Sequence, residues 1–355
     1  MKMIKFPSIE QYGTTIKNLQ FHFQYCGKDE NGDAIYDKTK VLPTLTFKGT
    51  VKLHGTNAGV SFDVDTGDVW AQSRENIITP MKDNAGFAQF VEKNKDVFIG
   101  FFNDIKHTQN IENESIITIF GEWAGPGIQK GVGISQIDSK SFFIFGVKVS
   151  PKNEEIPAYW LDEEMTKLIP HGMVLILSNP LHNIYNINSI VQYSIDINLN
   201  EPQLSQNLLI ELTNAVEQQC PVAKYFGIDG IGEGIVWSTR IGNDVMRFKV
   251  KGAKHSSSKV KTIAPVDVEK LNSIKEFVDY ACTENRMKQA VEQVFYSNSE
   301  EPKMELVGNF LKWIMSDIVK EELETLNASN IEVKQIAGAV NKKAVAWFKE
   351  NLVSL

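Results

Sequence analysis

The 355-residue chain reads as an α+β protein, a larger part built of antiparallel sheets with helices followed by a small all-α C-terminal domain. A change of pattern near residue 265 predicts this. Before it, short segments rich in Val, Ile, Phe and Thr alternate between apolar and polar residues and are separated by Gly, Asn and Asp turns. After Pro265, glycines become sparse and apolar residues recur at helical spacing. The expected boundary divides the chain into residues 1–264 and 265–355, and its length suits two domains.

Taken in order, Met1 to Pro7 breaks at the proline before a signal-peptide core could form. Thr44 to Lys52 alternates as a strand, with Leu45, Phe47, Gly49 and Val51 on one face and Thr46, Lys48, Thr50 and Lys52 on the other. Val60, Phe62 and Val64 continue the alternation in a second strand, and His54-Gly55-Thr56-Asn57 is expected to make the turn between them. In Met246 to Lys251, the residues Met246, Phe248 and Val250 face a core while Arg247, Lys249 and Lys251 share the opposite side. Beyond the boundary, three stripes predict helices: Leu271, Ile274, Phe277, Val278 and Ala281; Leu306, Phe310, Ile314, Ile318 and Leu323; and Ile336, Val340, Ala344, Trp347 and Leu352.

Composition excludes several classes. No continuous apolar run is long enough to span a membrane, so no membrane partner is expected and the protein is read as soluble and cytoplasmic. Cys26, Cys220 and Cys282 are odd in number and far apart, which argues against a disulfide framework or a cysteine-rich zinc site and predicts buried thiols. A net charge of -7 is unusual for a nucleic-acid enzyme. Yet Arg247, Lys249, Lys251, Lys254, His255, Lys259 and Lys261 follow one another without an intervening acid, so a positive stripe can exist on an acidic body. A solvated loop is the competing reading of that segment.

The sharpest chemistry begins at Lys52, at the end of its strand and directly before a Gly turn with short polar groups. A lysine becomes a nucleophile only by losing its proton, which burial and neighbouring cations favour. Attack on a nucleotide α-phosphate would need positive charge for the phosphate oxygens and the pyrophosphate leaving group, and Lys249 with Lys251, one strand repeat apart, make a natural clamp. Glu233, beside Gly234, is the expected ligand for a divalent ion. Glu122, beside Gly121, can accept hydrogen bonds from ribose hydroxyls, and Phe145 can stack on a base. By strand parity, however, Phe145 groups with Phe143, Val147 and Val149, so plain core is its competing role. Gly125 to Gly133 lacks a Gly-Lys-Ser/Thr ending and is read as a loop lining the nucleotide pocket. The histidines at 22, 107, 171, 182 and 255 have no metal-ligand spacing and read as structural or exposed.

In order and approximate spacing, Lys52-Leu53-His54-Gly55-Thr56-Asn57, Ser73-Arg74, Phe120-Gly121-Glu122, Phe142 to Phe145, Glu233-Gly234-Ile235-Val236 and Lys249-Val250-Lys251 resemble the motifs of the covalent nucleotidyltransferase superfamily of ligases and capping enzymes. His-Gly-Thr-Asn after the lysine, together with Gly121 to Val132, resembles the branch of phage RNA ligase 2 and the kinetoplastid RNA-editing ligases. The resemblance covers roughly residues 45–255. It implies a nucleotidyltransferase (ATP-grasp-like ligase) domain and three-step, ATP-dependent strand joining. Lysyl-AMP forms on Lys52, AMP passes to a 5′-phosphate, and a 3′-hydroxyl displaces it. The resemblance also implies Mg2+ or Mn2+ as cofactor and a nicked duplex with RNA on at least the 3′-hydroxyl side as partner. It further implies a role in RNA repair, a monomeric state, and the host cytoplasm as location if the gene is phage-borne.

By position, the resemblance gives the ribose to Glu122, the adenine face to Phe145, the metal to Glu233 and the α-phosphate to Lys249 and Lys251. Asn57 and Val236 join the nucleotide-binding set. His54 and Arg74 serve the later nucleic-acid steps, with Thr56 near the broken ends. Competing roles are a turn cap for His54 and a pairing with Glu75 or Asp83 for Arg74. Two other function classes compete. A DNA ligase or GTP-dependent capping enzyme would carry an OB-type barrel after the lysine strand, where residues 265–355 lack alternation. A nucleic-acid-binding protein with a decayed site would have lost a charged motif residue, and none is missing.

Overall fold

The computed structural model describes residues 1–111, 113–161, 167–168, 175–255, 274–296 and 300–352. In chain order the first half comprises α1 (Tyr12–Gln24), β1 (Tyr25–Lys28), β2 (Ala34–Tyr36), β3 (Thr44–Lys52), β4 (Thr56–Asp63), β5 (Val69–Ser73), β6 (Ile77–Ile78), α2 (Phe87–Lys93), α3 (Lys95–Thr108), β7 (Ser115–Ala124) and β8 (Ser141–Pro151). There follow β9 (Tyr159–Trp160), β10 (Lys167–Leu168), β11 (Leu175–Ile176), β12 (Ile184–Asn186), β13 (Gln192–Asn198), α4 (Gln206–Gln218), α5 (Pro221–Tyr225), β14 (Gly234–Ile241) and β15 (Asp244–Lys251). The helical part contains α6 (Ile274–Ala281), α7 (Glu284–Val294), α8 (Val307–Ala328) and α9 (Val333–Asn351).

Two sheets carry the N-terminal part. A seven-stranded sheet runs β12-β8-β7-β4-β5-β6 with β9 on the outer side of β8, and a four-stranded sheet runs β13-β3-β14-β15. All these pairings are antiparallel except β12 with β8. The alternation of β3 and β15 is realised: Phe47, Gly49, Val51, Phe248 and Val250 are buried, while Lys48, Lys52, Lys249 and Lys251 are only partly so. Phe47, Val51, Trp237, Phe248 and Val250 pack under α1 and α4 in one core; Val60, Phe62, Ile117 and Ile119 pack against α2 and α3 in another. The remaining faces of the two sheets look at each other across a cleft.

Two expectations are corrected here. Thr56 and Asn57 already belong to β4, and the turn at residues 53–55 joins the two sheets instead of closing a hairpin. The parity of β8 also fails. Phe120 pairs with Gly146 and Gly121 with Ile144, so Phe145 is left unopposed as a β-bulge. Phe142 and Ile144 before the bulge, and Val147 and Val149 after it, therefore share one core. Phe143 and Phe145 turn to the cleft side, which frees Phe145 from its supposed grouping with Val147 and Val149.

The described residues of 274–296 and 300–352 are helical and share a hydrophobic cluster of their own, and no strand occurs among them. The OB-type barrel of the DNA ligase and capping alternative is therefore absent from them. The expected boundary at 264/265 and the stripe residue Leu271 lie outside the described residues, as do Lys259, Lys261 and His171. Ile274, Phe277, Val278 and Ala281 fall on α6, and Ile336, Val340 and Ala344 are buried on α9. α7 was not foreseen. On α8, Phe310, Ile314 and Ile318 are fully buried, but Leu323 is 48% exposed and Leu326 takes its place in the core. The cause is a kink at Glu322 (φ -117°, ψ 15°), which rephases the last turns. Cys220 and Cys282 are buried free thiols, whereas Cys26 is exposed on β1.

Candidate active site

Strand register assembles the charged groups. Gly234 stands opposite Lys52 on one side and Lys251 on the other, so the two lysines flank the start of β14. Glu233, the residue just before that rung, is reached by both. Lys52 Nζ donates to Glu233 Oε2 at 2.6 Å, and Lys251 Nζ lies 3.2 Å from Oε1. On the seven-stranded sheet, Asn57, Glu122 and Phe143 share a rung, which sets Glu122 across the cleft from the lysines. The Gly55 amide donates to Glu122 Oε1 at 3.0 Å and fastens the turn after Lys52 to β7.

Two glycines are obligatory. A Cβ on Gly55 would lie 2.5 Å from the Trp123 carbonyl oxygen, and one on Gly234 (φ 153°) would lie 2.1 Å from that of Val250. The glycines beside Lys52 and Glu233 thus mark close backbone approach.

Burial raises Glu122 to about 7, opposed by Lys52 and reinforced by the Glu233 charge. Burial also acts on Glu233, but Lys52 and Lys251 outweigh it and hold that carboxyl well below the usual range. Two neighbouring carboxyls are therefore driven in opposite directions, a pattern expected of a functional cleft. Burial pushes Lys249 down against the pull of Glu321, whereas the pull of Glu233, Glu321 and Asp317 on Lys251 exceeds burial and raises it.

Lys52, His54, Thr56, Asn57, Arg74, Glu122, Phe145, Glu233, Val236, Lys249 and Lys251 all line one cavity of about 1050 Å³. His54 does not cap its turn; its Nδ1 is 3.3 Å from Glu233 Oε2. Thr56 Oγ1 accepts from Asn84 Nδ2 at 3.2 Å. Arg74 sits at the rim, 3.8 Å from Glu75, which pairs more closely with Lys5 at 2.7 Å. Asp83, the other competitor, is engaged by the amides of Ala88 and Gln89 at the start of α2. Gly125 to Gly133 does not line this cavity. Instead Gln129 Nε2 donates to the Gly55 carbonyl at 3.3 Å and supports the turn from behind.

No group of three or more His, Cys, Asp or Glu suited to a metal occurs among the described residues. Glu233 offers one buried carboxylate between two ammoniums. That set fits a cation arriving with phosphate oxygens and water as its other ligands, as magnesium commonly does, and not a resident ion in a protein cage.

Several contributors escaped the sequence. His255 is no surface residue: its ring lies 5.7 Å from that of His54, and burial lowers it to about 4. Phe6, on the segment before α1, packs edge-on against Phe145 at 5.0 Å. From α8, Asp317, Lys320 and Glu321 enter the cavity, and Glu321 Oε1 accepts from Lys249 Nζ at 2.5 Å. The only local signal was the 317, 320, 321 spacing, which sets three charges on one face of an amphipathic helix.

The RNA ligase family model matches residues 46–251, more than half of the chain. The chain belongs to the RNA ligase family. The matched span runs from β3 to the end of β15 and so takes in both sheets and every cleft residue foreseen from the motifs. This RNA ligase family member is also similar to the Naegleria gruberi RNA ligase with PPi, at 15% identity and a TM-score of 0.40, over 70% of this chain and 56% of that one. A structure of a mutant Naegleria gruberi RNA ligase with ATP and Mn gives 14% identity and a TM-score of 0.40, with 70% and 56% covered. The chain thus spans little more than half the length of these matched structures. No described helix of this RNA ligase family member is long and apolar enough to cross a membrane.

Proposed function

We propose that this protein is an ATP-dependent RNA ligase that seals 3′-hydroxyl/5′-phosphate nicks in duplex RNA or RNA-containing hybrids, and that Lys52 is its nucleophile. The observation that carries the reading is the convergence of Lys52, Lys251 and Lys249 with Glu233 and Glu122 in one cleft between two sheets. Independent surface charges would not meet in this way.

Lys52 Nζ, once its proton has passed to a neighbouring acceptor, attacks the α-phosphorus of ATP. A P–N bond forms, the bond to the β-phosphate oxygen breaks and pyrophosphate leaves. Lys249 and Lys251 lie on the strand two residues apart and stabilise the charge on the phosphate oxygens. Glu122 accepts from the ribose hydroxyls, Phe145 takes the adenine face, and Asn57 and Val236 complete the nucleotide wall. Glu233 would hold a divalent cation, which supplies further charge neutralisation at the phosphates. The 5′-phosphate at a nick then takes AMP from the lysine, and the 3′-hydroxyl displaces AMP to form the phosphodiester. Arg74 and Thr56, which both line the cavity, suit contacts to the broken strand.

Labelled ATP with magnesium is expected to give a covalent protein-AMP adduct that Lys52→Ala abolishes. A robust adduct in that variant would overturn the assignment. Sealing of nicked duplexes carrying RNA or DNA on either side, compared with single-stranded RNA, tests the substrate.

A further inference from the structure

Two of the places expected to receive ATP are filled by the chain's own groups. Phe6 leans on Phe145 at 5.0 Å, where the base would stack. At the phosphate end, the Glu321 carboxylate lies against Lys249 at 2.5 Å, and its other oxygen accepts from Gln11 Nε2. Gln11 is the residue just before α1, so one carboxylate ties the helical domain both to the phosphate clamp and to the N-terminal segment crossing the cleft.

This placement is built. The kink of α8 falls at Glu322, the next residue. There Glu322 is held by Arg286 Nη2 at 3.1 Å and by the Tyr280 hydroxyl at 2.8 Å, while Asp317 takes Arg286 Nε at 2.8 Å. The side chain of Arg286 is fully buried. A rigid ion network inside the helical domain therefore points Glu321 outward. Burial works against its charge, but Lys249 and Lys251 outweigh it and bring the carboxyl down to about 2, so it enters the clamp as an anion. Elsewhere the helical part touches loops of the N-terminal part, as in Asn285 Nδ2 to the Ala253 carbonyl at 3.4 Å and Lys130 over the Tyr296 ring at 4.8 Å.

We propose that Glu321 is a resident stand-in for nucleotide phosphate: it occupies Lys249 until ATP arrives, so that phosphate binding and the docked position of the helical domain exclude one another. This rests on the reading of Lys249 as a phosphate ligand. By reciprocity, whatever Glu321 costs the nucleotide, the nucleotide costs the docked domain, so loading Lys52 frees the α8 face just when the nucleic acid must enter.

The test is equilibrium binding of ATP, pyrophosphate and adenosine to the wild-type chain, Glu321→Gln and Gln11→Ala, first without divalent metal and then with magnesium. Glu321→Gln keeps the shape and a hydrogen bond to Lys249 but removes the charge. It is expected to bind ATP and pyrophosphate roughly 5- to 150-fold more tightly, the range of ordinary site-to-site coupling. Adenosine affinity should not move, and Gln11→Ala, which leaves the carboxylate less restrained, should shift the same way by less. Heating adds a second readout, because Glu321→Gln should unfold earlier than wild type when unliganded but not when saturated with ATP. Equal or weaker anion binding in Glu321→Gln, or an equal gain for adenosine, overturns the proposal. Weakening seen only with magnesium would make Glu321 a metal ligand instead, and overturns it too. If ATP labels Lys52 while no variant gains affinity, this inference fails and the functional reading stands. If pyrophosphate binding gains while ATP never labels the protein, the reverse holds.

Discussion

The Gly55 amide donates to Glu122 Oε1 at 3.0 Å, so the turn after Lys52 in one sheet is fastened to a partly buried carboxyl in the other. That carboxyl is raised to about 7, above the 4.5 of an exposed glutamate. Between these values the folded protein keeps a proton that the unfolded chain has already lost. Stability attributable to Glu122 is therefore highest below pH 4.5 and falls as pH rises to about 7. Glu122→Gln removes this dependence. The unfolding free energy of wild type minus that of the variant should drop by on the order of 3 kcal/mol between about pH 4.5 and 8. Urea unfolding at several pH values measures it, and contributions from Glu233 and Glu321 largely cancel in the difference. A flat difference would contradict the burial argument.

Gly55→Ala should uncouple Lys52, the proposed nucleophile, from its cleft. The added Cβ meets a backbone oxygen at 2.5 Å, so the turn itself must shift. A displacement of this kind is expected to cost about 1–3 kcal/mol in stability and to slow Lys52 labelling by roughly 100-fold. Gly100→Ala on α3, where a Cβ meets nothing within 4 Å, is the contrast: it should stabilise by about 0.5–1 kcal/mol and leave labelling alone. Equal labelling rates in the two variants would mean that the Gly55 turn does not position Lys52.

Phe145→Ala and Phe145→Leu separate stacking from packing. If the ring takes the adenine face, both variants should raise KM for ATP by roughly 5- to 150-fold, the equivalent of about 1–3 kcal/mol of base stacking, with little difference between them. A packing role predicts a lower unfolding midpoint in Phe145→Ala, recovery in Phe145→Leu and an unchanged KM.

Arg286→Met tests the ion network of the helical domain. The guanidinium is fully buried between Asp317 and Glu322, and its loss leaves two carboxylates without their cation. Removing one partner of a buried pair typically costs about 3–5 kcal/mol. Denaturant unfolding followed by tryptophan fluorescence should show a shift of that size; less than about 1 kcal/mol would mean that the network contributes little.

Much of this was present in local pattern. The alternation of Thr44 to Lys52 and of Met246 to Lys251 put the lysines on the faces they occupy, because a strand's side-chain period holds wherever the strand is regular. The glycines beside Lys52 and Glu233 stood out in the sequence, though the close backbone approach they serve shows only in the fold, and the switch from alternating to helical spacing separated the sheet part from the helical part. Other features had no local signature. The unopposed Phe145 breaks the parity that grouped it with Val147, since a bulge is a property of two paired strands. The loop at Gln129 braces the turn from behind instead of lining the cavity, and His255 packs beside His54. Glu321 reaches Lys249 from 72 residues away. Sequence determined which side chains each element could offer and on which face, because those follow from backbone geometry over a few residues. Which offers met was decided by strand register and by the docking of one helix, which depend on contacts between segments that no short window of the chain contains.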